Sequence, residues 1–306
     1  MLATLALLLF ASLQAVRVGD RPIITPESSP TLGNNIDGPS LIRVPAWIDH
    51  PLGKYYLYFA NHKGLHIRLA YADRVEGPWK IYEPGTLRLD QVPACHDHIA
   101  SPDVHVDDAT RQIRMYFHCP AGGAGTDISI QKSLVAFSRD GLHFKSSQEI
   151  LGPAYYRVFR WRDAYYAICW GGQLLRSKDG VTPFEPGPML VPADQGRTLR
   201  HAAVLVRGNT LSIFYSRIGD EPERILVSRV KLTSDWKTWK SSAPETVLQP
   251  ERDYEGGNMP LVASVIGDAP GRVHQLRDPC IFEDDGHTYL LYSVAGESGL
   301  AIAELK

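Results

Sequence analysis

Three aspartates stand at the start of apolar, strand-like runs: Asp37 in IDGPSLIRV, Asp103 in SPDVHV and Asp278 in LRDPCIF. Two further runs open on Tyr156-Arg157 and on Arg200-His201, and Arg277 directly precedes the third aspartate. Carboxylates, an imidazole and guanidiniums gathered at one place are costly to desolvate and repel or neutralise one another. Such a set is kept where the pKa values are split between an acid and a base. The chemistry it suits is proton transfer, in which a protonated group serves a leaving oxygen while an ionised carboxylate activates water. A single aspartate before a strand is more often a turn residue, so it is the recurrence at the head of a repeated unit that points to a shared site.

Histidines add to the set. His62, Lys63, His98, His105 and His118 fall within the first two repeats, where they could hold a ligand or a central divalent cation, or could be hydrogen-bonded core residues. No cofactor is required by the motifs. Glu255, in the loop Asp253-Tyr254-Glu255-Gly256-Gly257, is a further acid, with a solvated loop glutamate as its ordinary reading. Trp47, Tyr155 and Trp170 could stack on a ligand, although most aromatics here suit sheet packing.

The elements that must position these residues follow one pattern five times. First strands read PSLIRV from Pro39, PDVHV from Pro102, YRVFRW from Tyr156, HAAVLV from His201 and PCIF from Pro279. Second strands read KYYLYFA from Lys54, IRMYFHC from Ile113, AYYAICW from Ala164, TLSIFYS from Thr210 and TYLLYSV from Thr288. Third strands begin at His66, Ser133, Gln173, Arg224 and Leu300, and weaker outer strands are expected over 79–82, 144–149, 184–190 and 239–247. Tight-turn signals such as Arg207-Gly208-Asn209 and Asp285-Gly286-His287 separate first strands from second ones.

Four-stranded meanders repeated radially make a propeller, in which each unit buries a face against the next. The expected fold is therefore all-β, a five-bladed β-propeller. The fifth unit lacks an outer strand, and the segment Arg21 to Thr25 is expected to supply it and close the ring. A two-sheet sandwich built from the same hairpins is the competing architecture. Inner strands of a propeller line a central channel, so their first residues converge on one mouth.

Composition sets the outer bounds. The 306 residues carry 32 Lys+Arg against 34 Asp+Glu, for a formal net charge of -2. A nucleic-acid partner is disfavoured, because phosphate backbones are met by a clear basic surplus. The apolar run 1–15 reads as a secretory signal peptide with cleavage near Ala15, leaving 16–306 as a single domain that is secreted or periplasmic. No later stretch could span a membrane. The four cysteines form no zinc-like spacing; Cys169 and Cys280 read as buried thiols, while Cys95 and Cys119 flank one hairpin and could pair in an oxidising compartment.

On Asp37-Gly38-Pro39-Ser40-Leu41-Ile42 followed by Tyr55-Tyr56-Leu57-Tyr58, on Ser101-Pro102-Asp103-Val104, and on Arg277-Asp278-Pro279 followed by Asp285-Gly286, the chain resembles the five-bladed propeller glycoside hydrolases. That broad group holds family 43, family 62, family 117, family 130 and the fructan-cleaving families. The resemblance implies an oligosaccharide or polysaccharide substrate and acid/base cleavage of a glycosidic bond. In family 43 an aspartate opening the first blade is general base, one in a later blade tunes pKa, and a glutamate is general acid. Asp37 and Asp103 look like the first two, and Asp278, which has the Asp-Pro pairing, competes for the role of base. In family 117 a histidine serves as acid, which makes His201 a candidate beside Glu255. Inversion asks for carboxyl groups roughly 6.5–9.5 Å apart. Arg157, Arg200, Arg217, Arg224 and Arg277 exceed what a neutral sugar needs, so a uronic or sulfated sugar is one expectation. A non-catalytic carbohydrate-binding propeller, or a phosphorylase like family 130, are the alternatives.

Overall fold

A computed structural model describes residues 13–125 and 127–306; most of the expected signal peptide, 1–12, lies outside the described residues. Five antiparallel sheets follow one another along the chain. Blade one is Asp37–Arg43, Tyr55–Ala60, Arg68–Ala72 and Lys80–Tyr82; blade three is Arg157–Trp161, Ala164–Ile168, Gln173–Ser177 and Glu185–Met189. Blade four is Thr198–Arg207, Thr210–Ile218, Ile225–Lys231 and Glu245–Leu248. Blade two has Ala100–Asp107, Gln112–Pro120 and Gln131–Ser138, with its outer edge divided between Lys145–Ser146 and Gly152–Pro153. The five-bladed propeller expected from the repeats is the fold, and helix among the described residues is confined to single 3-10 turns.

Blade five is Arg277–Asp284, His287–Ser293 and Leu300–Leu305, and its outer strand is Ala15–Arg17 from the other end of the described chain. The expected donor was Arg21 to Thr25. Ala15 pairs with Leu305 and Arg17 with Ala303, after which Gly19, at φ 81°, turns the chain aside. Pro22 has no N–H to give the ladder, and only Ile23 and Ile24 return to bond Leu300. The closing strand thus begins at the residue where cleavage was expected. Arg17 fixes the seam, its Nε and Nη2 donating to the two Glu255 oxygens at 2.7 and 2.8 Å.

Between blades the packing is aromatic and apolar. Tyr56, Tyr58, Met115 and Phe117 share one core, and Phe159, Tyr166, Trp236 and Trp239 another. A repeated latch ties neighbours together: Tyr58 Oη donates to the Gly141 carbonyl at 2.8 Å, and Tyr116 Oη donates to the Gly180 carbonyl at 2.9 Å. Both glycines close an Asp-Gly turn at φ 74° and 76°, and a Cβ on either would lie 2.9 Å from the donating hydroxyl. The turn and the close approach each require glycine there. Cys95 and Cys119 are disulfide-linked, and Cys169 and Cys280 are free and buried.

Candidate active site at the propeller mouth

The heads of the inner strands are bulged. In blades one, two, four and five the ladder slips by one residue, between Asp37 and Ser40, Ala100 and Asp103, Leu199 and Ala202, and Arg277 and Cys280. A left-handed residue sits inside three of these bulges: Gly38 at φ 59°, Ser101 at 52° and Asp278 at 49°. Tyr155, at 64°, precedes the inner strand of blade three. Such a bulge re-aims the side chains on either side of it.

The register corrects the expectation that three aspartates occupy equivalent positions. Asp37 corresponds to Ala100 and Arg277, Asp278 corresponds to Gly38 and Ser101, and Asp103 corresponds to Ser40 and Cys280, deeper along the strand. Asp37 and Asp278 line one cleft of about 290 Å³, together with His62, Lys63, Tyr155, Arg200, His201 and Glu297. Asp103, His105 and Arg157 line a second cavity of about 280 Å³ farther along the inner strands. Asp103 there pairs with His105 at 2.9 Å and accepts the Val158 N–H at 2.7 Å.

The acids of the cleft are driven apart electrostatically. Burial, then the like charges of Glu297 and Asp278, push the Asp37 carboxyl well above the usual range, against the smaller pull of His62 and Arg68. Its Oδ1 is buried with no hydrogen-bond partner. Burial acts the same way on Asp278, but contact with His201 and the nearby Arg277 and Arg200 guanidiniums outweigh it and hold Asp278 well below the usual range. Ser293 Oγ also donates to Asp278 at 3.0 Å. Glu297, bonded by Arg277 Nη1 at 2.7 Å and facing His62 Nδ1 at 3.5 Å, is brought down to about 2 by those partners against its burial. One cleft therefore holds a carboxyl that favours its proton beside two that release theirs, which is the split that acid/base chemistry uses.

His201 is caged. Nδ1 lies against Asp278 Oδ1, Nε2 is 3.3 Å from Ser101 Oγ, and the ring packs on Tyr155 at 4.3 Å, which in turn packs on His118 at 4.0 Å. Burial depresses His201 despite Asp278, so the imidazole favours its neutral form. That is the opposite of what a histidine acid needs. Glu255 lies away from the cleft: besides Arg17, it accepts Tyr292 Oη at 2.9 Å and the Glu251 and Arg252 N–H groups at 2.9 and 3.0 Å, within the ring seam.

The arginines have partners. Arg200 is bidentate to Glu223 at 2.8 and 3.1 Å, Arg217 to Asp220, and Arg277 binds Gln275 and Glu297. Arg217 and Trp47 line other surface hollows. Arg224 meets Thr246 and the Pro222 carbonyl. Arg157 bonds the Ser101 and Tyr156 carbonyls, and its Nη2 is buried without a partner. Lys63 pairs with Asp268 at 3.1 Å across the rim. Apart from Nη2 of Arg157, a residue that lines the second cavity, the guanidiniums that suggested an anionic sugar are thus engaged within the protein.

Glu297 was missed from sequence. Its signal is slight: an acid in Ala295-Gly296-Glu297-Ser298-Gly299, the turn between the second and third strands of blade five. With it, Asp37 and His62 bring three ligand atoms within 4.8 Å of one another. Oxygen and imidazole donors of that kind, one carboxylate oxygen lacking a partner, fit a divalent cation.

No family model matches the chain. It is 40% identical over 301 residues to an uncharacterized protein of Acanthamoeba polyphaga mimivirus, covering 89% of this chain and 83% of that one. Among solved structures it resembles a family 43 β-xylosidase/α-arabinofuranosidase from a compost microbial metagenome, crystallised with xylotriose (TM-score 0.64, 15% identity, 95% of each chain). An exo-1,5-α-L-arabinanase from a bovine ruminal metagenomic library is similar at TM-score 0.59, with 11% identity over 89% of this chain and 92% of that one. So is an N-acetylgalactosamine deacetylase from F. plautii, at TM-score 0.61 and 10% identity over 95% and 94%. The fold is that of the family 43 propellers.

Proposed function

The chain belongs to one family with the uncharacterized mimivirus protein, and from the chemistry of its cleft we propose that it is a glycoside hydrolase acting on an oligosaccharide. The observation that carries this is two buried carboxyls in one cleft with unlike partners, Asp37 with an oxygen left unbonded and Asp278 held by His201 and Ser293, so that Asp37 favours its proton and Asp278 its charge. Asp37 gives its proton to the leaving oxygen, and Asp278 takes one from the attacking water. Burial and then the like charge of Glu297 keep Asp37 protonated, and His201, its Nδ1 against Oδ1 of Asp278, restrains that carboxylate. Arginines already engaged with Glu223 and Glu297 favour a neutral sugar over a uronic or sulfated one. Secretion is part of the reading, supported by the apolar run 1–15 and the Cys95–Cys119 bridge.

A second reading rests on the unpartnered Asp37 Oδ1 beside His62 and Glu297. There Asp37, His62 and Glu297 would hold a divalent cation, which would supply Lewis-acid polarisation of a substrate oxygen, with Asp37 an ionised ligand rather than the proton donor. One experiment separates these. Purified protein is given neutral, uronic and sulfated oligosaccharides, with and without a chelator and with and without phosphate. Product from neutral oligomers that survives chelation supports the acid/base reading. Loss on chelation moves Asp37 to the ligand role, phosphate dependence indicates a phosphorylase, and binding without product indicates a recognition module.

A further inference from the structure

The floor and the rim of the cleft differ in kind. Asp37, Asp278, Glu297 and His201 form the floor, whereas Ile128, Ile218, Ile266 and Trp170 also line the cleft. Ile266 is 65% exposed, and Leu261, Val262 and Val265 on the same segment are 53, 49 and 62% exposed. Single exposed aliphatics need no explanation; four within the stretch 261–266, one of them lining a charged cleft, do.

The segment is anchored. Arg200 donates to the Val265 carbonyl at 2.6 Å and to the Gly267 carbonyl at 3.0 Å, and Arg277 donates to the latter at 3.2 Å. Ser264 bonds backbone to backbone with Gly219 and Asp220, at 3.0 and 3.1 Å. Ile266 is therefore carried between two clamped carbonyls, with little conformational freedom left to lose on binding. Its side chain has no hydrogen-bonding group for sugar hydroxyls and no flat π face for a sugar ring. What it can stabilise is apolar surface.

We propose that the site takes a glycoside with an apolar aglycone, an alkyl or aryl group, seated against Ile266 while the sugar meets the carboxyls below. This rests on the hydrolase reading for its sugar, and the test separates the two. Calorimetric titration with methyl, butyl and hexyl β-D-xylosides, and with the same series of β-D-glucosides, reads affinity, and sugar release from the same ligands is assayed separately. Each buried methylene is worth up to about fourfold, so hexyl should bind more than about tenfold tighter than methyl in at least one series. Ile266→Asn, at an exposed position, should cut that ratio below about threefold.

A hexyl-to-methyl ratio under about twofold in both series overturns the proposal, as does a high ratio left intact in both Ile266→Asn and a Val265→Asn/Ile266→Asn double variant. Ile266-dependent hexyl binding without sugar release supports the apolar rim and removes the hydrolase. Xylotriose cleavage with no hexyl preference does the reverse.

Discussion

Asp278 occupies in blade five the left-handed position that Gly38 occupies in blade one, at φ 49° and 59°. Asp37 is one residue earlier on its own rung, opposite Ala60, as Arg277 is opposite Ser293. The two cleft aspartates thus leave different points of the same bulge, and so meet different neighbours: Asp278 meets His201, Ser293 and guanidinium charge, while Asp37 meets Glu297. Opposite proton affinities follow from a one-residue offset.

Removing the proton from Asp37 should disable the reaction and spare the fold. Asp37→Asn is expected to lower kcat by roughly 10²–10⁴, the usual worth of a general acid, on unactivated glycosides, with a much smaller loss on aryl glycosides whose leaving group needs no proton. The melting temperature should hold or rise, since a buried carboxyl repelled by Glu297 and Asp278 is replaced by a neutral amide. Equal losses on both substrate types would remove Asp37 as donor.

The alkaline limb of the pH profile should belong to Asp37, activity falling as pH rises through its raised pKa. Glu297 is the second largest cause of that rise, after burial. Glu297→Gln should therefore shift the alkaline limb of kcat/KM to lower pH. A limb that stays in place, measured across pH 4–9 in the variant that remains folded, would take Glu297 out of this role.

Asp103, placed at the mouth by its sequence motif, lies instead in the second cavity, and its loss should be read mainly in stability. His105 and Arg157 outweigh burial and lower its pKa. A lowered folded-state pKa contributes stability that is present above the unfolded value of about 3.9 and lost as pH falls through the folded one. Asp103→Asn should cost about 1–3 kcal/mol near neutral pH and reduce the steepness of acid unfolding, followed by denaturant midpoint against pH. Loss of turnover in a variant of unchanged stability would return Asp103 to the reaction.

Arg17→Ala should be severe although the residue is remote from the cleft. It leaves Glu255, fully buried, without its cation, a change that typically costs about 3–5 kcal/mol. Arg17→Ala/Glu255→Gln should recover part of that loss by removing the stranded charge, and thermal melts of both variants decide it. No recovery would mean that the seam depends on Arg17 through its bonds to Gln249 and Glu251 instead.

The blades were legible because an apolar, aromatic-rich run marks each second strand, as in Tyr55–Ala60 and Thr210–Ile218, and because Asp-Gly and Gly-Asn turns punctuate them. What sequence hid was register. A bulge inserts one residue without changing composition, so Asp37 and Asp103 look alike before a strand while lying on different rungs. Partners across blades were hidden as well: nothing near Arg200 in sequence announces the Val265 and Gly267 carbonyls, and nothing near Glu255 announces Arg17. Glu297 went unseen because a glutamate between glycines in a hairpin is ordinary turn composition.

The seam of the ring has a mechanical consequence. Gln14 and Lys306 exchange two backbone hydrogen bonds at the same end of the ladder that continues through Ala15–Leu305 to Arg17–Ala303. A load applied between residues 14 and 306 would open these bonds one after another, as a zipper opens, rather than stretching them together in shear. The circle that heat must break as a whole would yield to a small force drawn from that one corner, and the Arg17–Glu255 clamp would be the first point along the tear to resist it.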